Sequence, residues 1–154
     1  MRKIKYRIWE IKENRYYPNF VDLDIDDTGY YDYDLAQTGA VIRTDYLGEG
    51  DDEPWRKTQS YNVSDDVIIE QFTGLKDKNG RDIYEGEIVE ARWYRAKHAR
   101  LDTKGEVKFN DGWFYISDDP DGQDRLGVPV HNCYNIEVIG NVHDNKDLLE
   151  GIDD

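Results

Sequence analysis

Four groups of residues in this chain have types and spacings that could do chemistry. His131 and Cys133 stand two apart, the separation that puts two strand side chains on one face. An imidazole there could activate a thiol, but that chemistry also needs a third, orienting group. A structural zinc site needs about four ligands at paired spacings. The chain holds one cysteine and three histidines, His98, His131 and His143. Cys133 therefore reads as a small buried hydrophobe, and neither a catalytic nor a metal-ligating set is expected.

The segment DIDDTGYYDYDL, Asp24 to Leu35, comes close to a calcium loop. Asp24, Asp26, Thr28 and Asp32 fall at ligating positions and Gly29 at the sixth, but Leu35 stands where a bidentate Glu is required. It reads as a solvated acidic loop. Gly74 and Gly80 are separated by five residues, and Arg81 and Asp82 follow where a phosphate loop needs Lys and a hydroxyl. No nucleotide or other cofactor is expected. Carboxylates are so abundant that no single pair stands out as a hydrolytic site.

The fourth group is RWYRAKHARLDTK, Arg92 to Lys104. Arg92, Arg95, Lys97, Arg100 and Lys104 stand against one acid, Asp102, with Trp93 and Tyr94 adjacent. Basic residues interleaved with aromatics can bind single-stranded nucleic acid. A solvated hairpin tip would look the same. The net charge of −14 disfavours nucleic acid and anionic membrane alike. A contact with an acidic protein surface suits the chain better. Residues 22–34 hold six Asp and no Lys or Arg. Arg95, Lys97 and Arg100 are the expected interaction residues, paired with Asp24, Asp26 and Asp27 of a neighbouring copy. Such a contact joins different surfaces, so it closes a ring or extends a fibre.

The elements that must position these residues are strands. With 154 residues the chain makes one domain or two small ones. It is 38% hydrophobic and 35% charged, so its 12 Tyr, 4 Trp and 4 Phe must build much of the core. One cysteine excludes an internal disulfide and fits a cytoplasmic setting. No signal peptide or membrane-spanning run is read from the sequence. Ile4, Tyr6 and Ile8 alternate with Lys3, Lys5 and Arg7, which predicts a half-buried strand with its cations in water. KENR reads as a turn, and YYPNFVDL as a Pro-interrupted edge strand. Residues 24–62 read as loop-rich, with a short strand near Gly39–Arg43. Later come VIIEQFTGL, GEIVEARWY and YNIEVIGNV as strands. Asn79-Gly80 is expected to be a two-residue hairpin turn with positive φ at both positions, and Asp111-Gly112 turns a second hairpin. DNKDLLEG predicts a short helix capped by Asn145.

Short strands with turns between them predict a small barrel or sandwich. The fold expected is mostly β. An N-terminal region, 1–66, supplies a β-hairpin and an irregular acidic half. An SH3-like small barrel, 67–150, follows with a short C-terminal helix, and the two can pack as one unit.

QFTGLKDKNGRDIYEGEIVE, Gln71 to Glu90, closely resembles the hallmark of the YopX family of phage and prophage proteins. IKYRIWE resembles that family's opening strand, and YNIEVIGNVHDNKDLLEG its closing strand and helix, with Lys146 where Pro is frequent. The resemblance covers about half the residues, leaving out 22–62, 95–104 and 117–127. It implies a mostly β protein with a barrel-like C-terminal half, a phage or prophage origin and self-assembly; it implies no activity. The function expected is that of a non-enzymatic accessory protein in the host bacterial cytoplasm, acting on itself as a homo-oligomer or on a host protein. The alternative is an acidic decoy that imitates nucleic acid for a host DNA-binding protein.

Overall fold

The computed structural model describes residues 5–17, 31–36, 38, 40–46, 58–95, 99–119 and 127–150. In chain order the strands are β1 (Tyr6–Glu10), β2 (Arg15–Tyr16), β3 (Tyr31–Leu35), β4 (Val41–Tyr46), β5 (Thr58–Asn62) and β6 (Val67–Lys76). They continue with β7 (Asp82–Tyr84), β8 (Glu87–Arg95), β9 (Ala99–Asn110), β10 (Trp113–Ser117), β11 (Val128–Pro129) and β12 (Cys133–Asn141). The chain forms two compact units, Ile8–Ile69 and Met1–Arg7 with Glu70–Asp154, so the division falls inside β1 and β6.

In the Ile8–Ile69 unit, Asn14 adopts φ 51° and turns β1 into β2, pairing Trp9 with Tyr16. β3, β4 and β5 form an antiparallel meander. Ile8, Val41, Val63 and Val67 make its core, with Tyr17, Tyr33 and Ile69 packed on them. Glu10 is buried there, accepting hydrogen bonds from the Tyr33 hydroxyl at 2.8 Å and from Arg15 at 3.0 Å. The meander is more regular than a loop-rich reading allows. YDYDL alternates with period two, and Asp32 lies in β3 opposite Thr44, outside any calcium-loop geometry.

The other unit carries a five-stranded antiparallel sheet in the order β11-β10-β9-β8-β12, curled into a half-barrel. Ile83, Val89, Ala91, Val107, Phe114, Ile116, Val130 and Ile136 fill it. Asp111 and Gly112 both take positive φ, as expected of a two-residue turn between Asn110 and Trp113. At Asn79-Gly80 only Gly80 has positive φ, 84°. The Gly80 amide donates to the Asp77 carbonyl and the Asp77 amide to the Arg81 carbonyl, so this loop has three residues and the glycine takes its left-handed end.

The first strand departs from the sequence reading: Tyr6 is exposed, while Arg7 is drawn in among carboxylates. The expected C-terminal helix is one 3-10 turn, Lys146–Leu148. The Asn145 side chain accepts from the Asn141 amide at 3.2 Å instead of capping that turn, which removes the signal that would start a longer helix. Among the described residues no helix is long and apolar enough to cross a membrane.

Candidate functional site

Gln71 to Glu90 is committed to architecture almost residue by residue. The Thr73 hydroxyl donates to the Ile83 carbonyl at 2.8 Å and accepts from the Leu75 amide at 3.1 Å. The Asp77 carboxylate accepts from the amides of Asn79, Arg81 and Val138. Burial works against that carboxylate, but the donations from Arg81, Asn79 and Val138 outweigh it and hold its pKa below the usual value. Hydrogen bonds from Lys5 and Lys76 likewise lower Asp82. Glu85 is pushed up by burial while accepting from the Gln71 amide at 2.8 Å.

Glu87 is wholly buried and binds both Arg7 and Arg81 at 2.9 Å, and accepts from the Tyr84 amide at 3.0 Å. Glu70 holds the other edge of Arg7 at 2.6 Å and accepts from His143 Nε2 at 2.7 Å. Gly86, at φ 74°, lies against the Glu70 carboxylate, and any Cβ there would collide with it. A half-buried guanidinium between two buried carboxylates is tolerable because each charge is answered by several donors or acceptors. This cluster escaped sequence reading because residues bonded to each other in it lie up to 80 positions apart, as Arg7 and Glu87 do. The only local hint was the doubled glutamate flanking Gly86.

The uncommitted polar surface lies on the β8–β9 hairpin, in register without a bulge from Ile88↔Glu106 to Arg95↔Ala99. Val89, Ala91, Trp93, Leu101 and Thr103 share the face toward the core; Glu90, Arg92, Tyr94, Arg100 and Asp102 share the outer face. A groove of about 610 Å³ opens on the outer face, lined by Lys78, Glu90, Arg92, Asp102, Lys104 and Glu137 among others. Its charges pair off, Lys78 with Glu137 and Arg92 with Asp102, so it offers no excess of either sign. Beyond the groove, Tyr94 is 62% exposed and its ring stacks on Tyr134, centroids 5.0 Å apart. Arg100 stands opposite Tyr94 and is exposed, as is Leu101.

Of the six expected interaction residues, Arg100 is on this exposed hairpin end. Arg95 is the last residue of β8, paired with Ala99. Lys97, Asp24, Asp26 and Asp27 lie outside the described residues. His131 belongs to a 3-10 turn, Val130–Asn132, and Cys133 starts β12, so they do not share a strand face. Burial pushes the Cys133 thiol up to about 11, and it donates to the Pro129 carbonyl. A thiol held protonated is no nucleophile at neutral pH. Among the described residues no group of three or more His, Cys, Asp or Glu is placed to hold a metal ion.

A family model described as YopX protein matches residues 5–150. A crystal structure of an Enterococcus faecalis protein is similar over 96% of this chain and 99% of that one, at 24% identity and a TM-score of 0.53. The X-ray structure of protein yopX from Bacillus subtilis is similar over 99% of both chains, at 24% identity and a TM-score of 0.50. At such identities the likeness carries the fold alone. No curated protein sequence matches the chain.

Proposed function

Taking as premise that this chain belongs to the YopX family, we propose a non-enzymatic accessory protein of a phage or prophage. It works in the bacterial cytoplasm as a protein-binding module that also binds a second copy of itself. Its contact surface is the outer end of the β8–β9 hairpin. The observation that carries this reading is the exposed Tyr94, held in a stack on Tyr134 with Arg100 opposite it. Tyr and Arg are the residues that most often anchor interfaces, and a ring already fixed by stacking loses little freedom on binding. Arg95 and Lys97 are the other cations proposed for this contact, with Asp24, Asp26 and Asp27 of a neighbouring copy among the acids they would meet.

Light scattering behind size exclusion, at low and high salt, tests the reading. An assembly that dissociates as salt rises is expected, because screening weakens exposed ion pairs. Tyr94→Ala and the double reversal Arg95→Glu/Arg100→Glu should each weaken it about tenfold or more. Assembly and partner binding untouched by both variants would remove the hairpin end from consideration.

The acidic decoy remains a second reading on the strength of the −14 charge. Several acids are unavailable to it: Glu10, Glu70, Asp77, Asp82 and Glu87 are engaged by donors of the same chain. It predicts that the purified protein displaces DNA from a host DNA-binding protein, and no displacement at any concentration sinks it.

A further inference from the structure

β9 has twelve residues and β10 has five. Pairing between them runs from Asn110↔Trp113 to Glu106↔Ser117 and stops. From Ala99 to Lys104, β9 has β8 on one side, and among the described residues no strand on the other. Six residues of extended chain make about 20 Å of edge whose backbone donors and acceptors no described strand pairs. An edge of that kind is a template for another strand.

The side chains along it say which strand. Arg100, Leu101 and Asp102 form a self-complementary triplet when read in opposite directions. We propose that this edge pairs antiparallel with the same edge of a second copy, about a two-fold axis through Leu101, joining two five-stranded sheets into one of ten. The inference rests on the reading that the chain binds a second copy of itself, and it specifies the surface and the register.

In this register Leu101 lies opposite its own symmetry mate. Arg100 lies opposite Asp102 of the second copy, and Asp102 opposite the other Arg100. Residues directly opposite in an antiparallel pair share a face, and here the faces agree: Arg100 and Asp102 are on the outer face, Leu101 on the core side. All three are exposed. Asp102, already 3.2 Å from Arg92 of its own chain, would bridge two guanidiniums.

Neighbouring registers are worse. An axis through Asp102 sets two Asp face to face and Arg100 against Lys104. An axis through Arg100 sets two Arg face to face. Like charges directly opposite are destabilising. An axis through Thr103 is complementary in charge, but it sets Arg100 against Glu106, whose edge is already paired with Ser117 of β10. The two-fold through Leu101 uses only the part of the edge that no described strand covers.

A charge swap tests the pairing in the full chain by sedimentation. Arg100→Asp and Asp102→Arg each place like charges opposite one another twice, and each should raise the dimer dissociation constant about tenfold or more. The double variant Arg100→Asp/Asp102→Arg restores opposite charges and should recover assembly. Oxidative cross-linking provides a measurement that tolerates a poorly folding swap. Leu101→Cys should give a disulfide dimer, since residues opposite on antiparallel strands have Cα atoms within bridging distance. Thr103→Cys should not, and the wild type with Cys133 alone is the control. A monomeric wild type overturns the inference and the self-association it rests on, while binding to a host protein would still stand. An assembled wild type whose single swaps assemble equally well overturns the edge alone. Single swaps that weaken assembly without rescue by the double variant, or cross-linking through Thr103→Cys in place of Leu101→Cys, overturn the register.

Discussion

Along β12 the outer edge of the half-barrel sheet runs into the Asp77–Arg81 turn. The Ile136 carbonyl accepts from the Lys78 amide at 2.8 Å, and the Val138 amide donates to the Asp77 carboxylate at 3.3 Å. Along the far half of β9, from Ala99 to Lys104, no described residue does the same. One sheet thus has one edge plugged by a buried carboxylate and another that no described residue covers. Covering an edge is how proteins prevent unwanted strand pairing. Under the proposed pairing, the covered edge is the one kept from pairing and the open one is the one that pairs.

Removing the support of the plug should have the largest effect. Glu87→Ala removes one of the two carboxylates around Arg7, the carboxylate partner of Arg81 and the acceptor of the Tyr84 amide. Losing three hydrogen bonds to a wholly buried carboxylate should cost about 3 kcal/mol, read by urea denaturation. If Glu87→Ala costs under about 1 kcal/mol, the cluster does not hold the turn in place.

Removing the plug itself comes next. Asp77→Ala orphans three amides and should cost about 2 kcal/mol, with faster hydrogen exchange at Val138 and greater aggregation. The pH dependence follows from the same carboxylates. Asp77 and Asp82 titrate below their ordinary values in the folded chain. Their contribution is complete above about pH 4, the unfolded value, and is lost as pH falls through the folded ones. Glu85 is shifted upward, so its protonation favours the fold and makes the decline shallower. Melting temperature followed from pH 6 to pH 2 should fall less steeply in Asp77→Asn than in the wild type.

The smallest effect on folding should come from the bare edge. Leu101→Lys places a charge where edge strands commonly carry one and should change stability by no more than about 0.5 kcal/mol. The same substitution should abolish self-association in light scattering. A large loss of stability would mean that Leu101 belongs to the monomer core after all.

Local sequence carried the strands and turns well wherever the deciding interaction was local. Asp111-Gly112 needs only its own backbone preference, and GEIVEARWY forms β8 as its pattern predicts. The family resemblance, resting on Gln71–Glu90, named the scaffold. What local pattern misjudged was decided at a distance. Arg7 looked solvated because its partners, Glu70 and Glu87, are 63 and 80 residues away. Asn145 looked like a cap because nothing nearby shows that the Asn141 amide will claim its side chain. The aspartates of YDYDL masked a strand whose tyrosines kept period two. The edge of β9 that no described strand covers was not legible, since it depends on β10 being the shorter strand.

The internal engagement of Gln71–Glu90 has a consequence for heredity. Its polar side chains answer to one another, so a substitution there is judged by the fold and tolerated only if the fold survives. Under the proposed function, Arg92–Lys104 answers to a partner. A descendant could exchange that hairpin for another, keep every glycine and carboxylate of the scaffold, and acquire a new associate while still bearing the same family mark.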